Sequence, residues 1–256
     1  MNTITHLYRY PLKGLSAEAL GSARLTRAEG LPFDREYALA LGTTEFDENN
    51  PVPLDKGYFL MLRSNEQLAS LSTRFDTSTQ ELLIEDQTGQ AARGHLTQPE
   101  GRSRIEQFFV DYLGEATKGT PRVVRATGHK FTDASVMSPA LMRAVSVINL
   151  APVEALSTAL GTHINPLRFR GNIYVSGLEP WEELSWVNQT VTMGGVPLRG
   201  LAKTPRCGAV NVNPVTAQRD LNLPKAIMQH FGHTDLGAYL EVLNDGTISI
   251  GDAVKN

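Results

Sequence analysis

Apolar residues in the first hundred positions come in short runs, TITHLYRYP, EYALAL, GYFLML and ELLIED, punctuated by Gly, Pro, Asn and Asp. Runs of this length, rich in branched and aromatic side chains and bounded by turn formers, predict strands. Two stretches break that rhythm with a helical spacing. SNEQLASL sets Ser64 and Gln67 as a capping box, with Leu68 and Leu71 on one side, which predicts a short helix after the third strand. SRIE repeats the box at Ser103, where Ile105, Phe108, Phe109, Tyr112 and Leu113 form one apolar face that Gly114 can end. A third helix is expected around Pro152, tolerated in a first turn, with Val153, Leu156 and Leu160 inward and Gly161 as its stop. PKAIMQHFG predicts a fourth.

The later apolar runs are NIYVSGL, TVTMGGVPLRG, GAVNVNP and TISIGDAV, and Gly194 and Gly195 form a two-residue hairpin signal between apolar flanks. No segment alternates strand and helix in the manner of a doubly wound parallel sheet. The expected class is therefore α+β and β-rich, with barrel-like curled sheets. A seam near the Ser103 helix divides the chain into expected domains at 1–98 and 99–256, two closely packed units for 256 residues.

Composition adds constraints. Hydrophobic residues at 41% against 20% charged are enough to build a real core. Lys and Arg number 24 against 27 Asp and Glu, so the net charge of −3 offers no global attraction to nucleic acid or anionic lipid. Any anion site must be local. A single cysteine cannot make an internal disulfide, and MNTITHLYRYPLKG lacks the basic and apolar start of a signal peptide, so a cytoplasmic setting is expected. The most apolar region, ALMRAVSVINLAPVEAL, is interrupted by Arg143, Asn149 and Glu154, which argues against a membrane span.

Dinucleotide and phosphate-loop glycine motifs are missing, as is a nucleophile-elbow serine. His230 and His233 have a metal-compatible spacing, but the other histidines are scattered, and the pair reads as a solvated helix end.

The one cysteine, Cys207, lies in TPRCG. A lone cysteine is by default a small buried hydrophobe. Here Pro205 stiffens the approach, Arg206 brings a fixed charge that favours thiolate, and Gly208 permits close approach of a ligand or backbone. These features fit a thiolate presented to something, whether it attacks a substrate, carries sulfur or binds a metal.

Around that cysteine the chain resembles the MOSC family, named for the C-terminal domain of molybdenum cofactor sulfurase. TPRCGAVNVNPVTAQRD is similar to the family's P-x-R-C segment with its following V-x-P-x-T-G-x-x-D. RFRGNIYVSGLEPWEELSW resembles the F-R-P-N segment with W-E-E and W, and ISIGDAV resembles the terminal I-x-V-G-D-x-V. YPLKGLS and FDREYAL resemble the Y-P-V-K-S and F-D-R pair of the β-barrel domain that precedes MOSC in many members. The resemblance implies an N-terminal MOSC-type barrel at 1–98 packed against a MOSC barrel with peripheral helices at 99–256.

It also implies a molybdenum–molybdopterin cofactor, with Cys207 as the metal ligand and Arg206 beside it. Lys13, Arg35, Asp133, Ser135, Arg170, Asn172 and Tyr239 carry over as cofactor-binding positions, with Ser146 a further candidate and Arg63 matching the arginine of T-A-R-Q. Gly14 and Gly171 stand where the family has Ser and Pro. The implied reaction is reduction of a small N-hydroxylated substrate, with oxygen leaving as water. One cysteine cannot hold an iron–sulfur cluster and no flavin or nicotinamide motif exists, so electrons are expected from a separate iron–sulfur, flavin or haem protein. The alternative is a sulfur carrier or cofactor-handling protein using a Cys207 persulfide, and a third is a module that stores the pterin without turnover. Glu182, Glu183 and Asp220 lie near the motifs and receive no catalytic role.

Overall fold

The computed structural model describes residues 1–255. The chain lays down β1 (Thr3–Arg9), β2 (Glu18–Leu20), β3 (Ser22–Leu25) and β4 (Ala38–Ala40), then a meander of β5 (Ser72–Asp76), β6 (Glu81–Glu85) and β7 (Ala91–His95). Helix α1 (Pro99–Leu113) and β8 (Arg122–Val124) follow, then α2 (Pro139–Arg143), β9 (Val145–Asn149), α3 (Leu150–Leu160) and β10 (Ile173–Ser176). The chain ends with β11 (Thr190–Met193), β12 (Val196–Pro205), α4 (Leu223–Phe231), β13 (Asp235–Val242), β14 (Gly246–Ser249) and β15 (Val254–Lys255).

Eight strands form the main sheet in the order β15-β11-β12-β13-β9-β10-β1-β2. A bridge between Thr3 and Ala253, with Ile4 N–H donating to Asp252 O and Val254 N–H to Asn2 O, curls β15 round onto β1. The curl encloses a core of Ile4, Leu7, Val147, Val175, Trp186, Val191, Leu198 and Leu240. Alternate residues Val196, Leu198 and Gly200 of β12 face it, as a period of two requires, while in β1 a bulge between Ile4 and His6 sets its two buried residues, Ile4 and Leu7, three apart. Strand β3 pairs with β14 and β1 with β10, so strands of the first 25 residues join the C-terminal half of the chain.

A second core belongs to the intervening segment. The meander β5-β6-β7 buries Phe75, Leu82 and Ile84 against Ile105, Phe108 and Phe109 of α1, while Tyr37, Leu39 and Leu60 close the far side. Gly94 in β7 and Gly101 in α1 allow the contact: a Cβ on Gly101 would lie 2.2 Å from His95 O, and one on Gly94 would lie 2.2 Å from Gly101 O.

The β-rich α+β class with a barrel-like sheet is what the apolar pattern predicts. The Gly194–Gly195 hairpin joins β11 to β12 with φ of +56° and +84°, both open to glycine. Other expectations needed a partner to be resolved. GYFLML is not a strand: Lys56–Tyr58 is a 3-10 turn, and Phe59 makes one bridge to Ala40. SNEQLASL is a 3-10 turn over Glu66–Ser70 whose cap is Asn65, with no side-chain capping bond, so the Ser64–Gln67 box does not form. Helix α1 starts at Pro99, before the expected box, because proline in a first turn forfeits no intrahelical bond. GAVNVNP is a 3-10 turn at Gly208–Asn211, not a strand. One strand–helix–strand unit does occur, since α3 connects β9 to β10, which pair in parallel inside an otherwise antiparallel sheet.

The glycine contact generates a prediction. Gly101→Ala should destabilise the protein by about 1–3 kcal/mol through overpacking against backbone, read as a lower midpoint of chemical unfolding.

Candidate functional site

Between the two cores lies a cleft of about 260 Å³. The sheet aims one wall into it. Strand β12 breaks register with β13 between Gly200 and Ala202 and again between Lys203 and Pro205. Bulges bend a strand locally and re-aim its side chains, and here they deliver Arg206 and Cys207 to the wall of the cleft. Tyr239, opposite Ala202 on β13, and Ser146, opposite Tyr239 on β9, line the same wall.

Cys207 is half-buried and its thiol is free. The cation that bonds its sulfur is not the adjacent arginine. Arg206 donates from Nε and Nη2 to Leu236 O and from Nη1 to Phe169 O at 3.0 Å, so its fork is anchored on backbone carbonyls. Gly237 makes room for it, since a Cβ there would come within 2.8 Å of Arg206 Nη2. Lys56 instead approaches the sulfur, with Nζ 3.7 Å from Sγ.

Lys56 belongs to a small charge chain. Asp133 accepts from Lys56 Nζ at 3.1 Å on Oδ2 and from Lys13 Nζ at 2.5 Å on Oδ1, and Lys13 also donates to Phe131 O at 3.0 Å. Burial acts against the charged form of Asp133, but the two ammonium groups outweigh it and hold the carboxyl far below the usual aspartate range. Burial depresses the buried Lys13 despite Asp133. Burial also opposes the charge on Lys56, yet Asp133 and then Cys207 leave it above its ordinary value.

Two more arginines stand on the opposite side. The guanidinium of Arg35 lies 4.3 Å and that of Arg170 lies 4.4 Å from the centre of the Tyr10 ring. Arg35 donates to Asp34 Oδ2 at 2.6 Å and to Arg170 O at 2.8 Å, while Arg170 donates to Leu15 O at 2.9 Å. Both residues have left-handed backbone, φ +49° and +53°, which turns the side chains out of their loops. Asn172 is the joint beneath them. Its Nδ2 donates to Tyr8 O and Asp34 Oδ1, and its Oδ1 accepts from Ser146 N and Arg35 Nη1. That commits its amide to holding the arginines and the sheet in place.

The structure thus gathers Lys13, Arg35, Asp133, Ser146, Arg170, Asn172, Arg206, Cys207, Tyr239 and Arg63 around one cleft. Ser135 is the exception: it is buried in the turn after Thr132 and does not line the cleft, whereas Thr132 and Ala134 do. Gly208 also faces away, and its carbonyl accepts from Arg219 Nη1 at 3.1 Å. Gly14 lines the cleft with φ +86°, where a Cβ would meet Leu60 O at 3.1 Å, so a serine would be strained there. Gly171 donates its N–H to the Tyr174 hydroxyl at 3.1 Å, a bond that a proline could not make.

Two lining residues escaped sequence reasoning. Lys56 follows Asp55, whose carboxylate accepts from Gly57 N–H at 2.8 Å, so D-K-G was a turn signal at the leading edge of an apparent strand. Arg168 is buried and paired in two-pronged fashion with Asp220 at 2.6 and 2.7 Å, which accounts for that carboxylate. Glu183 is wholly buried, where it accepts from Asn149 Nδ2 and Gly237 N–H. His230 is exposed in the last turn of α4, and His233 Nδ1 accepts from Asp235 N–H.

Fold and cleft together define a β-rich α+β protein with a curled, barrel-like sheet and a free thiol on a cleft lined by lysines and arginines. The chain belongs to the MOSC family: residues 126–255 match the MOSC domain and residues 1–120 the MOSC N-terminal beta barrel domain. It is 29% identical over 120 residues to mitochondrial amidoxime-reducing component 1 of Mus musculus, and 28% identical over 122 residues to component 2 of Rattus norvegicus. These matches cover 42% and 43% of this chain, and span only 35% and 36% of the length of those relatives. Among solved structures, YUAD protein from Bacillus subtilis aligns over 99% of this chain and 94% of its own, with a TM-score of 0.44 and 12% identity. YiiM from Geobacillus stearothermophilus aligns over 43% of this chain and 52% of its own, with a TM-score of 0.35 and 20% identity. Among the described residues no helix is long and apolar enough to cross a membrane.

The Asp133 bridge predicts a pH dependence. A carboxyl held below its ordinary value of 3.8 stabilises the fold above that pH and loses the effect as pH falls towards its folded value. Asp133→Asn should therefore be less stable than the wild type at neutral pH, and the difference should narrow as pH falls below about 4, followed by denaturant unfolding at each pH.

Proposed function

We propose that this protein is a molybdenum-cofactor-dependent oxidoreductase that reduces N-hydroxylated small molecules with electrons from a separate redox protein. The observation that carries this reading is the setting of the thiol. Cys207 opens onto a cleft whose lining includes Lys13, Arg35, Lys56, Arg63, Arg168, Arg170 and Arg206, with Asp133 the one carboxylate among the described lining residues. In a chain of net charge −3 such a concentration of cations supports a retained anionic ligand.

The donor set fits a metal–pterin phosphate. A thiolate suits a soft metal, and guanidinium forks suit phosphate oxygens. Donor capacity remains for it: Arg170 spends one Nη1 bond on Leu15 O, and the exposed Arg63 has no side-chain partner among the described residues. In this reading Cys207 holds the metal, Arg170, Arg63 and Lys13 face the anionic portion, and Tyr239 and Ser146 line the sheet side. Arg35, Asn172 and Arg206 keep the walls in register through their carbonyl and amide contacts. The bound cofactor would supply the two-electron exchange that cleaves an N–O bond. The net change converts R–NH–OH, two electrons and two protons into R–NH2 and water.

The names of the amidoxime-reducing relatives support the substrate class. A chain with one thiol has no four-cysteine set for an iron–sulfur cluster, which supports an external electron donor. That thiol also fits a reducing, cytoplasmic compartment. A sulfur carrier would use the same cysteine, but a transient persulfide does not call for so many cations around it.

Protein produced in a host that makes molybdopterin should contain molybdenum near one atom per chain, and Cys207→Ala should lose it, as read by elemental mass spectrometry. Metal-free wild type bearing a Cys207 persulfide would favour the carrier instead. Reduction of a hydroxylamine by the loaded protein should need an added redox protein, with NADPH alone giving no product in a chromatographic assay.

A further inference from the structure

We infer that Lys56, a residue of the N-terminal half, is the cation that contacts the Cys207 sulfur in the working protein and sets how much electron density that sulfur gives its ligand. The part concerning a bound metal rests on the proposed molybdenum site, while the contact itself does not.

The placement of Lys56 is over-determined. Its 3-10 turn is pinned by Asp55 accepting from Gly57 N–H, by Phe59 N–H donating to Lys56 O at 3.1 Å, and by Leu41 N–H and Thr44 Oγ1 both donating to Tyr58 O. Its ammonium is then held by Asp133 at 3.1 Å, and Asp133 is fixed from its other oxygen by Lys13. Lys13 is anchored in turn on Phe131 O. A flexible four-carbon stem that would otherwise wander is thereby held 3.7 Å from Sγ, within reach of an N–H···S bond. The Lys56 side chain is 20% exposed, so solvent screens this contact less than it would a surface pair.

Arg206, although it is the cysteine's neighbour in sequence, is aimed elsewhere: three of its five N–H groups donate to Leu236 O and Phe169 O, and among the described residues the bond to the sulfur comes from Lys56. Hydrogen bonding to a ligating thiolate draws density from the sulfur and tunes the metal's potential, and such supporting groups are typically worth 10–100-fold in metal affinity or activity. The N-terminal half therefore does more than cover the cleft. It brings the group that touches the reactive atom carried by the C-terminal half.

Two measurements on Lys56→Met and Lys56→Arg test this. In metal-free protein, Cys207 is modified with a negatively and a positively charged methanethiosulfonate reagent. A cation beside the sulfur favours the anionic reagent, so Lys56→Met should lower the anionic-to-cationic rate ratio by about tenfold, and Lys56→Arg should restore most of it. In molybdenum-loaded protein, Lys56→Met should retain metal but show a lower Mo(V) midpoint potential by paramagnetic resonance titration, with Lys56→Arg close to wild type. An unchanged reagent ratio overturns the contact, whatever the metal content. A changed ratio with an unchanged potential overturns the redox role. A wild type without molybdenum would instead overturn the proposed function, and the reagent ratio would still decide whether Lys56 faces the sulfur.

Discussion

Cations crowded into a partly dehydrated cleft repel one another, and each loses hydration that the protein must replace. The arrangement here follows from that constraint. Arg206 is held by Leu236 O and Phe169 O, Arg170 by Leu15 O, Arg35 by Asp34 and Arg170 O, and Lys13 by Phe131 O and Asp133. These acceptors come from both halves of the chain. The fold and the charge of the cleft are therefore one construction, and removing either half would leave arginines and lysines without their oxygens.

The same logic accounts for the way the halves are joined. Arg219 reaches from beyond the cysteine turn to Leu62 O, Arg63 O and Glu66, with another bond to Gly208 O. It ties the segment that carries Cys207 to the segment that carries Arg63. Lys56 and Lys13 converge on Asp133 from the other direction. Charged groups set across the seam fix the spacing of the two walls more sharply than apolar packing would, because a fork of N–H bonds has a preferred direction and a methyl contact does not.

Glycine and backbone shape complete the cleft where side chains would block it. Gly237 leaves room for Arg206, and Gly14 takes a left-handed backbone under Leu60 O that a serine would resist. The two departures from the family motif thus have local causes: Gly14 relieves strain, and Gly171 keeps an N–H that the Tyr174 hydroxyl accepts.

Much of this protein was legible in its chain. The curled β-rich class followed from short apolar runs, and α3 and α4 lie where period and glycine stops put them, because those signals are local. Motif likeness brought Cys207, Lys13, Arg35, Arg170 and Tyr239 together before any fold was known. Lys56 was invisible, since it stands just before a run that reads as a strand, and its turn takes up the first two residues of that run. The positions of Ser135 and Gly208, two residues beyond Asp133 and one beyond Cys207, were equally undecided, because where a tight turn leaves the wall of the cleft depends on its backbone path and not on its residue types. The sequence by itself determined which groups the protein owns and the elements that carry them. Only the tertiary structure decided that a lysine 151 positions away, and not the arginine beside it, meets the sulfur, because contacts between distant segments depend on how two cores settle against each other and local pattern carries no record of that.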